Sequence, residues 1–440
     1  MSKRNLLLLF LLLCPFAGAR SADDVLKLYF KSIGIQQGLS HQMVNAIVKD
    51  PQGFIWIGTA EGLNRYDGTE FHVYRHEPGN PCSLSTSWIN CLYITRDGRL
   101  FIGTEKGVNV YNAQKENFER ISAENDSRNL LGNLRIRCFC EDSKGYLWIG
   151  TLDGLIRFDR RNGLINFYKL NHYDRDKMHN EVRSLCEDSA GRLWIGTFDG
   201  LYCRETESGV FKSVPLKKAP AEGNCLISGL HIQQEDPHTL YIAATGGLRV
   251  FDTETGGERH YHTANSGIAS NDVRDVTRYD AKHVLAATSS GLSVFDIPSG
   301  GFTNFANSIT DPVSLPTQIV RCLFQDDNGL VWLGTNYGVA CCNSHRRPID
   351  VHYINDTDAE GHTTRETITD IAVLPGEIWI GTNNGLMCYS PDMRLKRHFT
   401  TKNSLLPHNN IKRILTDRSG IMWIGTNNGV VYLDKNRTTL

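Results

Sequence analysis

The chain repeats one short pattern nine times, and this repeat constrains the fold more than any other feature. The pattern reads D-x-x-G-x-x-W-I-G-T-x-x-G-L, and its clear copies are residues 50–63, 142–155, 188–201, 326–339 and 417–430. Looser copies are residues 95–108, 241–248, 285–292 and 378–386. The Gly position of W-I-G-T recurs every 44 to 47 residues. A period of this length, with one Trp-bearing strand per unit, is typical of a β-propeller.

Each repeat reads as four short strands, a to d. In the repeat that starts at Val182, β-type runs cover residues 182–186, 193–197, 201–204 and 209–214. Turn residues such as Asp and Gly separate these runs. No part of the chain after the N-terminal segment has a helical period. We therefore predict an all-β fold of four-stranded blades.

The Trp position of the repeat predicts how neighbouring blades pack. It is occupied in order by Trp56, Phe101, Trp148, Trp194, Tyr241, Leu285, Trp332, Trp379 and Trp423. An aromatic ring could stack on a sugar, but a blade cannot bury its faces alone and needs a bulky side chain against its neighbour. We interpret this position as blade packing, and the repeated Asp as a turn residue rather than a catalytic acid.

The N-terminus has the three parts of a secretory signal peptide. A basic start is followed by an apolar run at residues 6–13 and by small residues at 17–19. This predicts a signal peptide over residues 1–19 and export of the chain. Cys14 offers a lipoprotein alternative, which Leu13 disfavours because a small residue is expected there. No later run reaches the roughly 18 apolar residues of a membrane span, and a net charge of −1 gives no reason to expect nucleic acid as a partner.

Eleven cysteines remain after the predicted cleavage, and the repeat argues against a disulfide framework. One position of the repeat is shared by Ala46, Cys91, Cys138, Ser184 and Cys322, and a second by Cys203, Cys341 and Cys388. Equivalent positions of different blades point around the ring, so we predict mostly free, buried thiols. No C-x-x-C pair occurs, and we predict neither a metal site nor a cofactor.

The residues of the first repeat carry a family resemblance. Residues 55–68 read I-W-I-G-T-A-E-G-L-N-R-Y-D-G, and G-L-S at 38–40 and D-P-Q-G at 50–53 precede them. This resembles the first blade of the two-component regulator propeller family, and the resemblance covers residues 26–433. It implies the periplasmic sensor region of a hybrid two-component system from glycan-foraging bacteria. Members usually have two seven-bladed propellers, followed by a Y-Y-Y domain, a membrane helix and a histidine kinase.

The resemblance favours seven blades plus two over one nine-bladed ring. It predicts one propeller over residues 26–355 and the first two blades of a second, incomplete propeller over residues 365–440. The β-type run at residues 28–33 could supply the last strand of repeat seven or, in a single ring, of repeat nine. The ninth repeat lacks a fourth strand and no kinase motif follows, so we expect a truncated chain whose membrane anchor belongs to a missing C-terminal part.

Arginines at the start of strand a are the first set of candidate ligand contacts. This position lines the central channel, and it holds Arg137, Arg183, Arg274 and Arg321, with Asn45, Asn90 and Lys412 in other repeats. A ring of arginines could bind an acidic ligand such as a uronate or a sulfated sugar through bidentate contacts. Alternatively, these arginines could brace neighbouring blades.

The T-x-x-G turns on the same face supply the second set. Their frame is constant while the two central residues vary, and variable residues on a constant scaffold often determine specificity. The candidate contacts from these turns are Glu61, Asp153, Asp199 and Tyr337. Trp88 lies near the same rim and could stack on a sugar face.

The predicted function is recognition of an oligosaccharide in the periplasm, with transmission to a histidine kinase absent from this chain. No nucleophile–base pair and no cofactor motif is legible, so we predict that this chain is not an enzyme. Two alternatives stay open, a secreted glycan-active propeller enzyme and a non-signalling scaffold that binds carbohydrate or protein. By the resemblance, the full-length sensor would be a homodimer anchored in the inner membrane.

Overall fold

The chain divides into two compact units, Met1–Pro348 and Ile349–Leu440. A computed structural model describes residues 26–170, 180–205, 209–217, 225–233, 236–311, 313–343, 354–357 and 363–434. The predicted signal peptide, residues 1–19, and Cys14 lie outside the described residues. Among the described residues, helical structure is limited to α1 (Leu130–Asn133), a 3-10 turn at Ile35–Gln37 and Asn180. The prediction of an all-β propeller is confirmed.

The first unit contains seven four-stranded sheets, named blades 1 to 7 in chain order. The first strand of the chain is β1 (Lys31–Ile33). Blade 1 consists of β2 (Val44–Lys49), β3 (Ile55–Thr59), β4 (Gly62–Tyr66) and β5 (Phe71–Tyr74). Blade 2 consists of β6 (Ile89–Ile94), β7 (Leu100–Thr104), β8 (Val108–Asn112) and β9 (Asn117–Arg120). Blade 3 consists of β10 (Ile136–Glu141), β11 (Leu147–Thr151), β12 (Gly154–Asp159) and β13 (Leu164–Tyr168).

The remaining blades of this unit follow the same order. Blade 4 consists of β14 (Val182–Glu187), β15 (Leu193–Thr197), β16 (Gly200–Arg204) and β17 (Phe211–Val214). Blade 5 consists of β18 (Ile227–Ile232), β19 (Thr239–Ala244), β20 (Gly247–Asp252) and β21 (Glu258–Tyr261). Blade 6 consists of β22 (Val273–Arg278), β23 (His283–Thr288), β24 (Gly291–Asp296) and β25 (Gly301–Phe305). Blade 7 consists of β26 (Val320–Gln325), β27 (Leu330–Thr335), β28 (Gly338–Asn343) and β1.

The N-terminal strand closes a ring of blades. Strand a of each blade lies beside strand a of the next, and β26 of blade 7 lies beside β2 of blade 1. The fourth strand of blade 7 is β1, which pairs antiparallel with β28 from Lys31↔Cys341 to Ile33↔Val339. The run predicted over residues 28–33 is therefore a strand only in its second half. Leu28 and Phe30 are instead buried in the core shared by blades 6 and 7.

In blades 1, 3 and 4 the repeated Trp and Asp are joined by a side-chain hydrogen bond. Trp148 Nε1 donates to Asp142 Oδ2 over 2.8 Å, and Trp56 Nε1 donates to Asp50 Oδ2 over 2.7 Å. The other oxygen of Asp142 accepts from the backbone N–H of Tyr146, which closes the D-x-x-G turn. Because this Trp is 1% exposed and packs against strand a of the next blade, its predicted packing role is confirmed.

The Gly of W-I-G-T is required by the approach of the next blade. A Cβ on Gly150 would lie 2.8 Å from Val182 Cγ1 and would also collide with the sulfur of Cys138. The cross-strand pairing Cys138↔Gly150 therefore explains why one repeat position holds Cys, Ala or Ser. The eleven cysteines of the described residues are free thiols, and most are buried or half-buried. Cys82 is exposed, because it lies in a loop before strand a of blade 2.

The second unit contains two further sheets of the same kind and a short ribbon. Blade 8 consists of β31 (Ile368–Leu374), β32 (Glu377–Thr382), β33 (Gly385–Tyr389) and β34 (Leu395–Phe399). Blade 9 has three strands within the described residues, β35 (Ile411–Thr416), β36 (Met422–Thr426) and β37 (Gly429–Leu433). The ribbon pairs β29 (Asn355–Thr357) with β30 (Thr363–Arg365).

Candidate functional site

A β-bulge in strand a places one residue of each blade at the central channel. In β10, Ile136 pairs with Thr151 and Cys138 pairs with Gly150, so Arg137 has no partner in the ladder between them. The same shift of register occurs in strand a of all seven blades. A bulge re-aims the side chain of the extra residue. The seven bulge residues all line one cavity of about 690 Å³, and they are Asn45, Asn90, Arg137, Arg183, Ser228, Arg274 and Arg321.

Two of the bulge arginines share a single buried carboxylate. Arg137 Nε lies 2.7 Å from Glu181 Oε1, and Arg183 Nε lies 3.3 Å from the same oxygen. The Glu181 side chain is 1% exposed. Burial lowers the pKa of Arg137; Glu181 opposes this shift, whereas the neighbouring Arg183 and Arg135 add to it. Positive charge therefore accumulates in this part of the cavity beyond what one carboxylate neutralises.

The other arginines of the cavity differ in their partners. Arg274 Nη2 lies 2.9 Å from Asp272 Oδ2, and Arg135 forms an ion pair with Glu105. Arg321 Nη1 donates to the side-chain oxygen of Asn336 over 3.3 Å, and no described carboxylate pairs with it. Burial lowers the pKa of Arg321, and the charge of Arg274 lowers it further.

The cavity carries a net positive charge. Five arginines line it, and three carboxylates, Glu105, Glu181 and Asp272, contact them. Five positive and three negative charges leave an excess of two positive charges. A guanidinium does not lose its proton in a protein, so an anion is what would relieve this excess.

The structure brings the predicted channel residues together. Arg137, Arg183, Arg274 and Arg321 line the same cavity, and so does Trp88, whose side chain is 40% exposed. Lys412, predicted at the equivalent position of the ninth repeat, belongs to the second unit. Within the described residues, no group of three His, Cys, Asp or Glu side chains could hold a metal ion.

The predicted turn residues Glu61, Asp153, Asp199 and Tyr337 are not among the residues that line the cavity. Each is the second central residue of its T-x-x-G turn, and its backbone N–H donates to the Thr hydroxyl of that turn. In two other turns the first central residue, Glu105 or Thr245, lines the cavity instead. Asp153 forms an ion pair with Lys169, and Tyr337 lies in a different groove.

Three charged residues of the site were missed by the sequence reasoning. Arg135, Glu181 and Asp272 each precede a bulge arginine by two residues. Their spacing is a legible signal, because residues i and i+2 of an extended segment point to the same side. The charged residue two positions before Arg137, Arg183 and Arg274 could therefore have been assigned to the channel.

Comparison with known proteins identifies the repeat. The profile of the two-component regulator propeller matches residues 38–61, 83–106, 129–153, 176–199, 314–337 and 405–428. The chain carries two-component regulator propeller repeats. Blades 5, 6 and 8 fall outside the matched segments; in blades 5 and 6, Ala243 and Ala287 replace the Gly of W-I-G-T. The resemblance carried by residues 55–68 is confirmed.

Solved structures with the same fold include sensor regions of one bacterium. The extracellular domain of a proposed one-component system of B. thetaiotaomicron is 22% identical with a TM-score of 0.61, covering 93% of this chain and 53% of that one. The extracellular domain of a proposed hybrid two-component system of the same bacterium is 19% identical with a TM-score of 0.60, covering 94% and 66%. At these identities this chain and these domains share a fold.

A curated relative matches over one short segment. Histidine kinase P4 of Formosa agariphila is 43% identical over 56 residues, which is 13% of this chain and 4% of that protein. The chain thus spans a small fraction of this relative and between about half and two thirds of the two solved domains. No helix in the described part of this chain is long and apolar enough to cross a membrane.

Proposed function

We propose that this chain is the extracytoplasmic sensor region of a hybrid two-component system, and that its central cavity binds an acidic oligosaccharide. The observation that carries the ligand class is the positive excess at the bulge positions, above all Arg321, which no described carboxylate neutralises. The two-component regulator propeller repeats and the histidine kinase relative support the sensor role.

Arginine suits the recognition of a uronate or a sulfate ester. Its planar guanidinium can donate two parallel hydrogen bonds to a carboxylate or sulfate, and such charge-assisted bonds are stronger than neutral ones. The Arg321 side chain lines the cavity, and the partner described for it is the neutral carboxamide of Asn336, so a bound anion would not have to displace a carboxylate. Trp88 on the same wall offers an aromatic face for the C–H side of a sugar ring.

The arginines divide between bracing and binding. Arg137 and Arg183 hold the buried Glu181, so their removal would leave an uncompensated charge and destabilise the blades around it. Arg274 is matched by Asp272. Arg321 is thus the residue whose replacement tests binding with the least damage to the fold.

Signalling requires that the ligand bind one conformational state better than another. A closed ring of blades is rigid, so we place the change between this chain and the parts of the longer protein that it lacks. In this proposal the full-length sensor is an inner-membrane homodimer, the propeller lies in the periplasm, and occupancy of the cavity alters the activity of the downstream kinase.

The test is binding of defined oligosaccharides by calorimetry. The probes are galacturonate oligomers, chondroitin sulfate oligomers and neutral xylo-oligomers of matched length, titrated into the wild-type chain and Arg321→Ala. We expect the acidic probes to bind and the substitution to weaken them at least about tenfold, as the loss of a charge-assisted hydrogen bond predicts. Binding should also weaken as salt increases.

Arg161→Ala is the matched control, because Arg161 is an exposed arginine that does not line the cavity. It should bind like the wild type, and both variants should keep the wild-type melting temperature. Equal affinity for neutral and acidic probes, unchanged by Arg321→Ala, would assign the arginines to bracing. Release of shortened oligosaccharides during the titration would favour the glycan-active enzyme instead.

A further inference from the structure

A second groove lies where the ring of blades closes. It has a volume of about 360 Å³ and is lined by the N-terminal residues 32–37 together with Gln42, Pro316, Tyr337 and Gly338. We call it the closure groove. Its lining comes from both ends of the ring, because residues 32–37 contain the end of β1 and the turn after it, whereas Tyr337 and Gly338 belong to the T-x-x-G turn of blade 7.

The chemistry of the closure groove fits a sugar ring. The side chains of Tyr337 and Ile35 are 65% and 57% exposed, which is high for large apolar residues. Gln36 and Gln42 present exposed carboxamides beside them, and the side-chain oxygen of Gln37 accepts from the backbone N–H of Gly34 over 2.8 Å. An exposed aromatic face with carboxamides nearby can stack on the C–H face of a sugar and bond its hydroxyls. No charged side chain lines the groove, so a neutral sugar suits it.

Two short backbone links join the closure groove to the central cavity. Asn336, which accepts from Arg321, is followed directly by Tyr337. Gln42 precedes the bulge residue Asn45 by three positions, which is at most about 10 Å of extended chain. These two segments are also hydrogen-bonded to each other, since the backbone N–H of Gly338 donates to the carbonyl of Gln42 over 2.7 Å.

We propose that the closure groove is a second subsite for the ligand of the central cavity. An acidic sugar lies at Arg321, and a neutral sugar of the same oligosaccharide crosses the blade 7 turn and stacks on Tyr337. This inference rests on the proposed function. It predicts a minimum ligand length, because a single acidic sugar can occupy the cavity but cannot reach the groove.

Occupancy of the closure groove would also strengthen the ring. The strand β1 is held to β28 by only three residue pairs. A sugar that contacts both the residues after β1 and the blade 7 turn adds a link across this seam. Anything that binds only the closed state stabilises it. Long acidic oligosaccharides should therefore raise the melting temperature more than short ones at equal saturation.

The experiment compares Tyr337→Ala with Arg321→Ala over ligand length. The probes are unsulfated chondroitin oligomers of one to six sugars, in which an acidic and a neutral sugar alternate, measured by calorimetry and thermal shift. We expect Arg321→Ala to weaken all acidic probes. Tyr337→Ala should weaken only the longer ones, by roughly five- to tenfold, as loss of an aromatic contact predicts. Tyr337→Phe should keep the length dependence because it keeps the ring.

Leu164→Ala controls for the loss of an exposed apolar side chain, because Leu164 is 40% exposed on blade 3 and lines neither cavity nor groove. Acidic probes that bind the wild type and Tyr337→Ala equally at every length would overturn the second subsite and leave the proposed function standing. Failure of every acidic probe to bind the wild type would overturn both.

Discussion

Blade 3 and blade 9 are built from the same motif and differ in what covers them. In blade 3, Trp148 donates to Asp142 over 2.8 Å and is 1% exposed; in blade 9, Trp423 donates to Asp417 over 3.0 Å and is 41% exposed. The hydrogen bond thus forms whether or not the ring is buried, whereas burial depends on the neighbouring blade. Local sequence forms the sheet, and the next sheet supplies most of its apolar contacts.

The largest expected difference between the two units concerns the Trp position. Trp194→Ala in blade 4 removes a ring that is 3% exposed and packs against strand a of blade 5, so we expect a cost of about 3–5 kcal/mol. Trp423→Ala in blade 9 should cost about 1–2 kcal/mol, because much of that ring is already in contact with water. Amide hydrogen exchange, resolved by peptide, measures each unit separately.

Equal losses of amide protection in Trp194→Ala and Trp423→Ala would contradict this contrast between the units. Trp423 would then have to be buried by contacts other than those described. If Trp194→Ala left stability unchanged but abolished binding of acidic oligosaccharides, that ring would instead contact the ligand.

The second contrast concerns two aspartates that respond to pH in opposite directions. In the first unit, burial raises the pKa of Asp275 to about 6, although its carboxylate accepts from the backbone N–H groups of Leu323 and Val276. In the second unit, hydrogen bonds from Ser419 and Trp423 lower the pKa of Asp417 to about 2.

The signs follow from which state binds the proton more tightly. Between pH 3.8 and 6, folded Asp275 holds a proton that the unfolded chain has lost, so its contribution to stability falls as pH rises through this window. The contribution of Asp417 is present above pH 3.8 and is lost as pH falls towards 2.

Asp275→Asn should therefore remove a pH-dependent contribution of about 2–3 kcal/mol to the free energy of unfolding between pH 4 and 7. Thermal unfolding of the wild type and the variant across this range measures the difference, with Asp417→Asn as the control that should alter only the acid side. A wild-type curve parallel to that of Asp275→Asn would show that Asp275 titrates as an ordinary exposed carboxyl.

The smallest expected effect concerns two cysteines at one position of the repeat. Cys203 of blade 4 and Cys388 of blade 8 are both buried, and burial raises the pKa of both thiols, that of Cys203 to about 11. Reaction with an alkylating reagent then requires local opening. Blade 8 carries exposed apolar side chains such as Val373, so we expect Cys388 to react several-fold faster.

Mass spectrometry of timed alkylation measures the rates of modification of both cysteines in one experiment, with the exposed Cys82 as the fast reference. Faster reaction of Cys203 than of Cys388 would contradict the view that the second unit opens more readily.

Much of this fold could be predicted from the sequence because the same pattern of strands and turns recurs in every repeat. The strand limits around Trp194, the turn role of the repeated Asp and the channel position of Arg137 all follow from one motif. Blades 5 and 6 were harder to place, since Tyr241 and Leu285 replace the Trp there. In blade 5 the fully buried Arg249 pairs with Glu258, an arrangement that only the packed structure reveals.

The candidate site was predicted in part, and the missing part has a physical cause. The bulge that turns Arg137 towards the channel is a feature of strand pairing, so sequence indicates the residue but not its partners. Glu181 was missed because it precedes the strand, although it contacts two arginines. Glu61, Asp153 and Asp199 were selected because T-x-x-G residues vary, yet variation does not say to which side a turn residue points.

The pairing of β1 with β28 has a consequence for how the ring forms. Lys31 and Cys341 are 310 residues apart in sequence, so the first strand to leave the ribosome is the last to find its partner. At about 5–20 residues per second, roughly 15 to 60 seconds pass between the synthesis of the two strands. Until then β1 has no partner, and a strand of another chain could pair with its exposed edge. The interval before closure is thus when a nascent chain is most open to aggregation.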